Sequence, residues 1–191
     1  MVPPGPLFSE NKMLEQLRSL LLCAGLAMAA APAAALQAGD PAPDFSLPGS
    51  DGKTYRLENY RDRQAVVLAW FPKAHTSGCT IECKSLAENG SLIRKFDVAY
   101  FMASVDPLEK NQEFAADTGA DFPLLSDEDK SVAKAYSVLG MLGLAKRHTI
   151  YIGKDGRILK IDKDIRPETS AEDMIANMQK LGIAQRGTAS P

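Results

Sequence analysis

Apolar and polar positions fall into two periods along the chain, and each period marks a kind of element. Ala65-Val66-Val67-Leu68-Ala69-Trp70-Phe71 is a continuous apolar run, the signature of a strand buried on both faces, and Pro72 ends it. Val98–Val105 predicts a second buried strand, and Leu124-Leu125 a short third one. Between them, helical spacing predicts a helix from near Cys79 through Leu86, with Gly90 as a break. A further helix is expected to be capped by Asp106, with Pro107 at its first position and Glu109 at capping-box spacing; it should stop near Gly119. Ser126-Asp127 is expected to cap another helix running through Tyr136. His148–Ile152 and Ile158–Ile161 read as two strands joined by the turn Gly153-Lys154-Asp155-Gly156. Ser170 with Asp173 opens a last helix, whose Met174, Ile175, Met178 and Leu181 share one face. Ser50-Asp51-Gly52-Lys53 is a turn between two extended pieces. Strands alternating with helices, then a hairpin and a final helix, predict one α/β sandwich around a mixed sheet.

The first 35 residues follow a different pattern. Lys12 and Arg18 precede the apolar segment Leu20–Met28, which runs into Ala33-Ala34-Ala35. A basic region, a short apolar core and a small-residue cleavage site are expected to form a secretory signal peptide over residues 1–35, with translation starting at Met13. The run is too short to span a bilayer well, so no stable membrane insertion is expected once it is removed, and the mature chain is expected in the bacterial periplasm. Residues 36–191 then form a single domain. An uncleaved anchor is the alternative.

Composition narrows the function. Of 191 residues, 22 are basic and 24 acidic, for a net charge of −2. No long basic run exists, so counterion release offers no route to nucleic-acid binding. No cofactor and no metal is called for, and no exposed apolar helix face argues against a monomer.

Loss of the leader removes Cys23 and leaves Cys79 and Cys83. A loop this small staples a fold poorly, because disulfide stabilisation grows with loop length. The pair therefore points to chemistry. Cys79 falls at the start of a helix that follows a buried strand, where unpaired amides and the helix dipole favour an anion. A free thiol is only a few per cent thiolate at neutral pH, and making most of it reactive requires about 2.7 kcal/mol of preferential stabilisation. A helix terminus supplies about 0.3–1 kcal/mol, so a fixed positive charge is needed as well. Arg147, just ahead of the His148 strand, is the best candidate. Thr76, three residues before Cys79, could accept a hydrogen bond from a peroxide and donate one to the thiolate, and Pro72 would shape the loop and shield the sulfur. His148 should face away from Thr149 and Arg147. His75 reads as lining the pocket mouth and Trp70 as core.

The run Pro72-x-x-x-Thr76-x-x-Cys79 resembles the active-site signature of the peroxiredoxins, with Arg147 where that family keeps its active-site arginine. Gly39-Asp40-Pro41-Ala42-Pro43-Asp44-Phe45, Gly78-Cys79-Thr80, Phe122–Asp127 and Arg147-His148-Thr149 extend the likeness to the peroxiredoxin Q, or bacterioferritin-comigratory, type over about Gly39 to Leu181. The resemblance implies a thioredoxin-like three-layer sandwich and a peroxidase that reduces hydrogen peroxide or organic hydroperoxides. It makes Cys79 the peroxidatic cysteine, forming a sulfenic acid within a pocket built by Pro72, Thr76 and Arg147, and implies a thioredoxin-like or other thiol reductant. Ser77 and His75 depart from the type, which commonly has proline and an acidic residue there. Cys83 departs more seriously: the resolving cysteine of this type usually lies five residues after the peroxidatic one, and here the interval is four. Cys83 either resolves Cys79 after local unwinding or is buried and inert, leaving an external thiol to attack the sulfenic acid.

Two other functions share some of these features. An exported thioredoxin-like copper-binding assembly factor also carries Cys-x-x-x-Cys, and thiolates suit Cu(I), but it leaves Thr76 and Arg147 without a role. A thiol–disulfide oxidoreductase needs Cys-x-x-Cys, one residue shorter than the spacing here.

Overall fold

The computed structural model describes Met1 and residues 35–187; the expected leader, with Met13 and Cys23, lies outside the described residues. Among the described residues no helix is long and apolar enough to cross a membrane.

Five strands form the central sheet, in the order β5-β4-β3-β6-β7: β3 is Ala65–Trp70, β4 Val98–Ser104, β5 Leu124–Ser126, β6 His148–Ile152 and β7 Ile158–Asp162. β3, β4 and β5 run parallel, and β6 and β7 pair antiparallel on the other side of β3. A separate hairpin, β1 (Ser46–Pro48) with β2 (Thr54–Arg56), closes through the expected turn at Gly52. The helices are α1 (Ser77–Glu88), α2 (Gly90–Ile93), α3 (Leu108–Thr118), α4 (Ser131–Ala135) and α5 (Ser170–Lys180).

Every residue of β3 is buried, as its uninterrupted apolar run requires of a central strand. Strand alternation divides those residues between two cores. Val67 and Ala69, continued by Phe71, pack with Cys79, Cys83 and Leu86 of α1, Phe114 of α3 and Met174 and Met178 of α5. Val66, Leu68 and Trp70 pack beneath Phe45, Leu47 and Leu57 and the α4 side chains Val132 and Ala133. The result is a three-layer α/β sandwich around a mixed sheet, of the thioredoxin-like class.

Several helix starts differ from the sequence expectation. α1 begins at Ser77, which places Cys79 within its first turn. α3 begins at Leu108 with Pro107 as its N-cap; the Leu108 amide is satisfied by Glu128 at 3.0 Å and neither Asp106 nor Glu109 caps it. Asp106 instead accepts a hydrogen bond from the Ala74 amide at 2.9 Å, a long-range contact that competes with the local cap. Gly119 ends α3 in the left-handed conformation, as anticipated. Ser126 belongs to β5, while Asp127 reaches over a turn to accept from the Val132 and Ala133 amides of α4. α5 has Thr169 as its N-cap, and Leu181 lies just past its end.

Asn111 ties these pieces together. Fully buried on α3, its amide donates to the Leu125 carbonyl and to the hydroxyls of Ser126 and Ser104, and Ser104 in turn accepts from the Asp106 amide. Removing it leaves buried acceptors without donors, which costs about 2 kcal/mol. We expect Asn111→Ala to lower the thermal midpoint by about 4–8 °C in scanning calorimetry; an unchanged midpoint would show that the network contributes nothing to stability.

Candidate active site

The site is built where β3 gives way to α1. Phe71 makes the last sheet bond of that strand, to the Ala103 carbonyl, and half-buried Pro72 starts the loop. Two contacts on the neighbouring layer hold the loop in place: the Asp106 carboxylate on the Ala74 amide, and His75, whose ring lies edge-on to Phe114 with Nδ1 3.6 Å from Asp117. His75 adopts φ 61°, in the left-handed region that ordinary residues rarely occupy. The chain can then turn sharply into α1, and Thr76 takes the N-cap position.

Thr76 does not behave as the sequence suggests in one respect. Its hydroxyl donates to the Lys73 carbonyl at 3.0 Å rather than to the sulfur, so its proton is engaged while its lone pairs remain available to a donor. The carbonyl of Thr76 accepts from both the amide and the hydroxyl of Thr80, closing the first turn around Cys79.

Arg147, immediately before β6, does reach Cys79: Nη2 donates to Sγ at 3.1 Å. Cys79 is fully buried, so this charge-assisted contact acts in a medium that screens it little. Gly78 leaves room for the approach: a β-carbon there would stand 3.3 Å from Nη2, and the guanidinium would have to give by a few tenths of an ångström. The other guanidinium nitrogen, Nη1, forms an ion pair with Glu82 Oε2.

Glu82 carried no clear signal in the sequence: an acid one turn into an amphipathic helix ordinarily faces water. Here it has no solvent exposure, and Oε1 has no hydrogen-bond partner among the described residues. Burial pushes its carboxyl up to about 7, against the pull of Arg147 and a weaker one from Ser170. Burial works against the charge on Arg147 too, but Glu82 and Cys79 more than offset it and hold the guanidinium firmly protonated. One cation is thus shared between a sulfur and a carboxylate.

Cys83 faces the same core one turn further along. It is fully buried, with Sγ 3.2 Å from Thr118 Oγ1. Thr118 Oγ1 also lies 2.6 Å from the Phe114 carbonyl, to which it donates. Burial raises the Cys83 thiol to about 11, offset in part by Thr118 and reinforced by Glu82 and Cys79. It is a neutral thiol. Both cysteines are free, and β-carbons four residues apart on a helix lie about 5–6 Å from each other, against about 3.8 Å in a disulfide.

His148 pairs with Trp70 across the β3–β6 ladder and shares its face, whereas Thr149 pairs with Ala69 on the Cys79 side. The histidine therefore lies across the sheet from both thiols and could not join them around one copper ion. Trp70 is fully buried core. A surface cavity of about 600 Å³, lined by Phe45, Leu47, Asp127 and Val132 among others, opens over the opposite core and shares no residue with the cysteine site.

The AhpC/TSA family profile matches residues 38–161. Peroxiredoxin Bcp of Escherichia coli K12 is 34% identical over 152 residues, covering 76% of this chain and 96% of that protein. Peroxiredoxin Bcp of Bacillus subtilis 168 is 26% identical over 154 residues, covering 76% and 97%. The crystal structure of peroxidoxin BcpB from Mycobacterium tuberculosis superposes with a TM-score of 0.69 at 31% identity, covering 76% and 97%. A Xylella fastidiosa PrxQ carrying a Cys-to-Ser substitution gives 0.72 at 23% identity over 78% and 99%, a likeness of fold. With a buried cysteine held against a partly buried arginine at a helix start, and with these relatives, the chain belongs to the AhpC/TSA family as a peroxiredoxin of the Bcp/Q type, a thiol-dependent peroxidase.

Proposed function

We propose that Cys79 is the peroxidatic residue and that the Arg147 contact at 3.1 Å is what makes it reactive. The thiolate attacks the terminal oxygen of hydrogen peroxide or an organic hydroperoxide; the S–O bond forms as the O–O bond breaks. Sulfur is oxidised to sulfenic acid, the peroxide is reduced, and the leaving alkoxide or hydroxide takes a proton from water. Arg147 stabilises the charge as it moves from sulfur to the departing oxygen, and the free lone pairs of Thr76 orient the incoming peroxide through its hydrogen. Pro72 shapes the loop around the sulfur.

Cys83 then resolves the sulfenic acid: its sulfur attacks Cys79, water leaves and a disulfide forms, which a thioredoxin-like dithiol reduces. The first turns of α1 must unwind for the sulfurs to meet, and unwinding also exposes Cys83 to water and removes the burial that suppresses its ionisation. The pattern of residues 12–35 supports export of the chain, and cleavage near Ala35 would release a soluble periplasmic monomer.

Three measurements bear on this reading. Stopped-flow reaction of the reduced chain with hydrogen peroxide should slow by more than about tenfold in Arg147→Ala, since one charge-assisted contact is worth about 1.5–3 kcal/mol; an equal rate would remove Arg147 from the chemistry. After one equivalent of peroxide, intact mass should show wild type losing two hydrogens and Cys83→Ser gaining an oxygen. Gain of oxygen in both would leave Cys83 with no part in resolution. For Glu82, burial raises the carboxyl from 4.5 to about 7, so the folded state holds this proton more tightly than the unfolded one. Its contribution to stability is full below about 4.5 and lost as pH rises through about 7. The stability of wild type relative to Glu82→Gln should therefore decline by up to about 3 kcal/mol between pH 4.5 and 8 in denaturant titrations; a difference independent of pH would refute the shift.

A further inference from the structure

Between α4 and β6 the chain makes a small hydrogen-bonded hairpin whose ends lie beside the active site. Leu139 bridges Ala145, the Gly140 amide bonds the Leu144 carbonyl, the Gly143 amide bonds the Gly140 carbonyl, and the Lys146 amide bonds Val138. Gly143, at φ 72°, provides the reversal. This tight frame holds two large apolar side chains fully in solvent: Met141 is 104% exposed and Leu142 90%, while the next most exposed large apolar residues of the described domain reach 42%. Paired backbone hydrogen bonds on both arms show a built projection. Its outgoing arm ends two residues before Arg147.

Basic side chains flank the hairpin. The Lys130 ammonium lies 3.1 Å from the position a β-carbon on Gly143 would take, and the Lys146 stem lies 3.9 Å from that of Gly140. Burial lowers the His148 imidazole, and Lys163 and Lys146, close enough to act on it, lower it further, which sets Lys163 near His148 at the base of the hairpin. None of these three lysines has an ion-pair partner among the described residues. The nearest acids in sequence have other engagements: Asp127 and Asp129 accept from amides of α4, Glu128 from the Leu108 amide, and Asp162 from Lys160 and Asn177. Only Asp164, next to Lys163, stands near without such a bond, and it lies within the field of Arg166.

Two apolar side chains are far too little to hold a second protein, since a stable partner covers about 800 Å² per side. A symmetric pair of copies would also bring like-charged lysines together. Apolar side chains flanked by lysines without ion-pair partners fit instead a lipid surface, whose acyl region takes the former and whose phosphates take the latter.

We propose that the Leu139–Ala145 hairpin docks this chain onto an anionic bilayer, Met141 and Leu142 entering the acyl boundary while Lys130, Lys146 and Lys163 meet phosphate headgroups. Docking brings the Arg147 rim of the site to hydroperoxides that form within the lipid; that consequence rests on the peroxidase reading, whereas docking itself does not.

The test places a reporter at the tip. Trp70 is the chain's one tryptophan and is fully buried, so added emission in Leu142→Trp reports position 142. The full chain is mixed with vesicles of phosphatidylglycerol and phosphatidylcholine, some carrying brominated acyl chains. We expect a blue shift and quenching by the brominated lipid, with vesicle affinity at least about tenfold weaker when Lys130, Lys146 and Lys163 are replaced by Gln or when phosphatidylglycerol is omitted. Emission that stays at its water-exposed position in the presence of vesicles overturns the proposal, as does a blue shift that grows with protein concentration in their absence, which would assign the tip to self-association. Hydrogen peroxide reduction by Leu142→Trp at the wild-type rate separates the two readings: docking can fail while that activity stands, and the activity can fail while docking stands.

Discussion

One guanidinium carries most of what is chemical about this fold. Arg147 stands between the Cys79 sulfur and the buried Glu82 carboxyl and bonds both. A carboxylate without solvent is tolerated only beside a cation, and a desolvated cation only beside an anion. The price of that arrangement is that Glu82 draws part of the charge away from the sulfur. In exchange the arginine is held in one orientation, with one nitrogen left for Cys79. Orientation matters because a mobile arginine would spread its donors over many positions, and stabilisation of moving charge depends on donors fixed in advance.

The scaffold can be traced outward from that contact. Arg147 immediately precedes β6, which pairs with β3, and Cys79 follows β3 through a short loop; the two partners are therefore fixed by a single ladder, Trp70 opposite His148. Gly78 keeps clear the space the guanidinium crosses. On the other side the loop is fastened by Asp106, itself anchored through Ser104 to Asn111. The carboxyl ends of the parallel strands β3 and β4 and the start of the antiparallel β6 deliver these residues to one edge of the sheet, the usual location for a site in α/β folds.

Much of this was legible in the sequence. β3 announced itself because a strand covered on both faces must be apolar throughout, and Cys79, Pro72 and Arg147 were identified by spacing and family likeness. Glu82 and Asp106 were not. A glutamate on an amphipathic helix carries no mark of burial when the cation that justifies it lies 65 residues away. Asp106 before a proline has every local feature of a helix cap, and only the fold reveals that Ala74, 32 residues earlier, competes for it. Local rules state what a residue can satisfy; long-range pairing decides which group it does satisfy. The Thr76 hydroxyl illustrates the same point at short range, since its orientation follows from the Lys73 carbonyl that the loop happens to present.

His75 gives the loop a direction of change. A left-handed residue with a β-carbon is held there at a cost of about 1 kcal/mol or more, and its ring contact with Phe114 and the fastening of Ala74 keep it in place. In the proposed resolution, where the first turn of α1 unwinds, release of this residue to ordinary backbone angles would return that cost, so part of the work of opening is held in the closed form. On that reading the segment is a cocked latch, tight in the closed form and biased toward release once the helix start gives way.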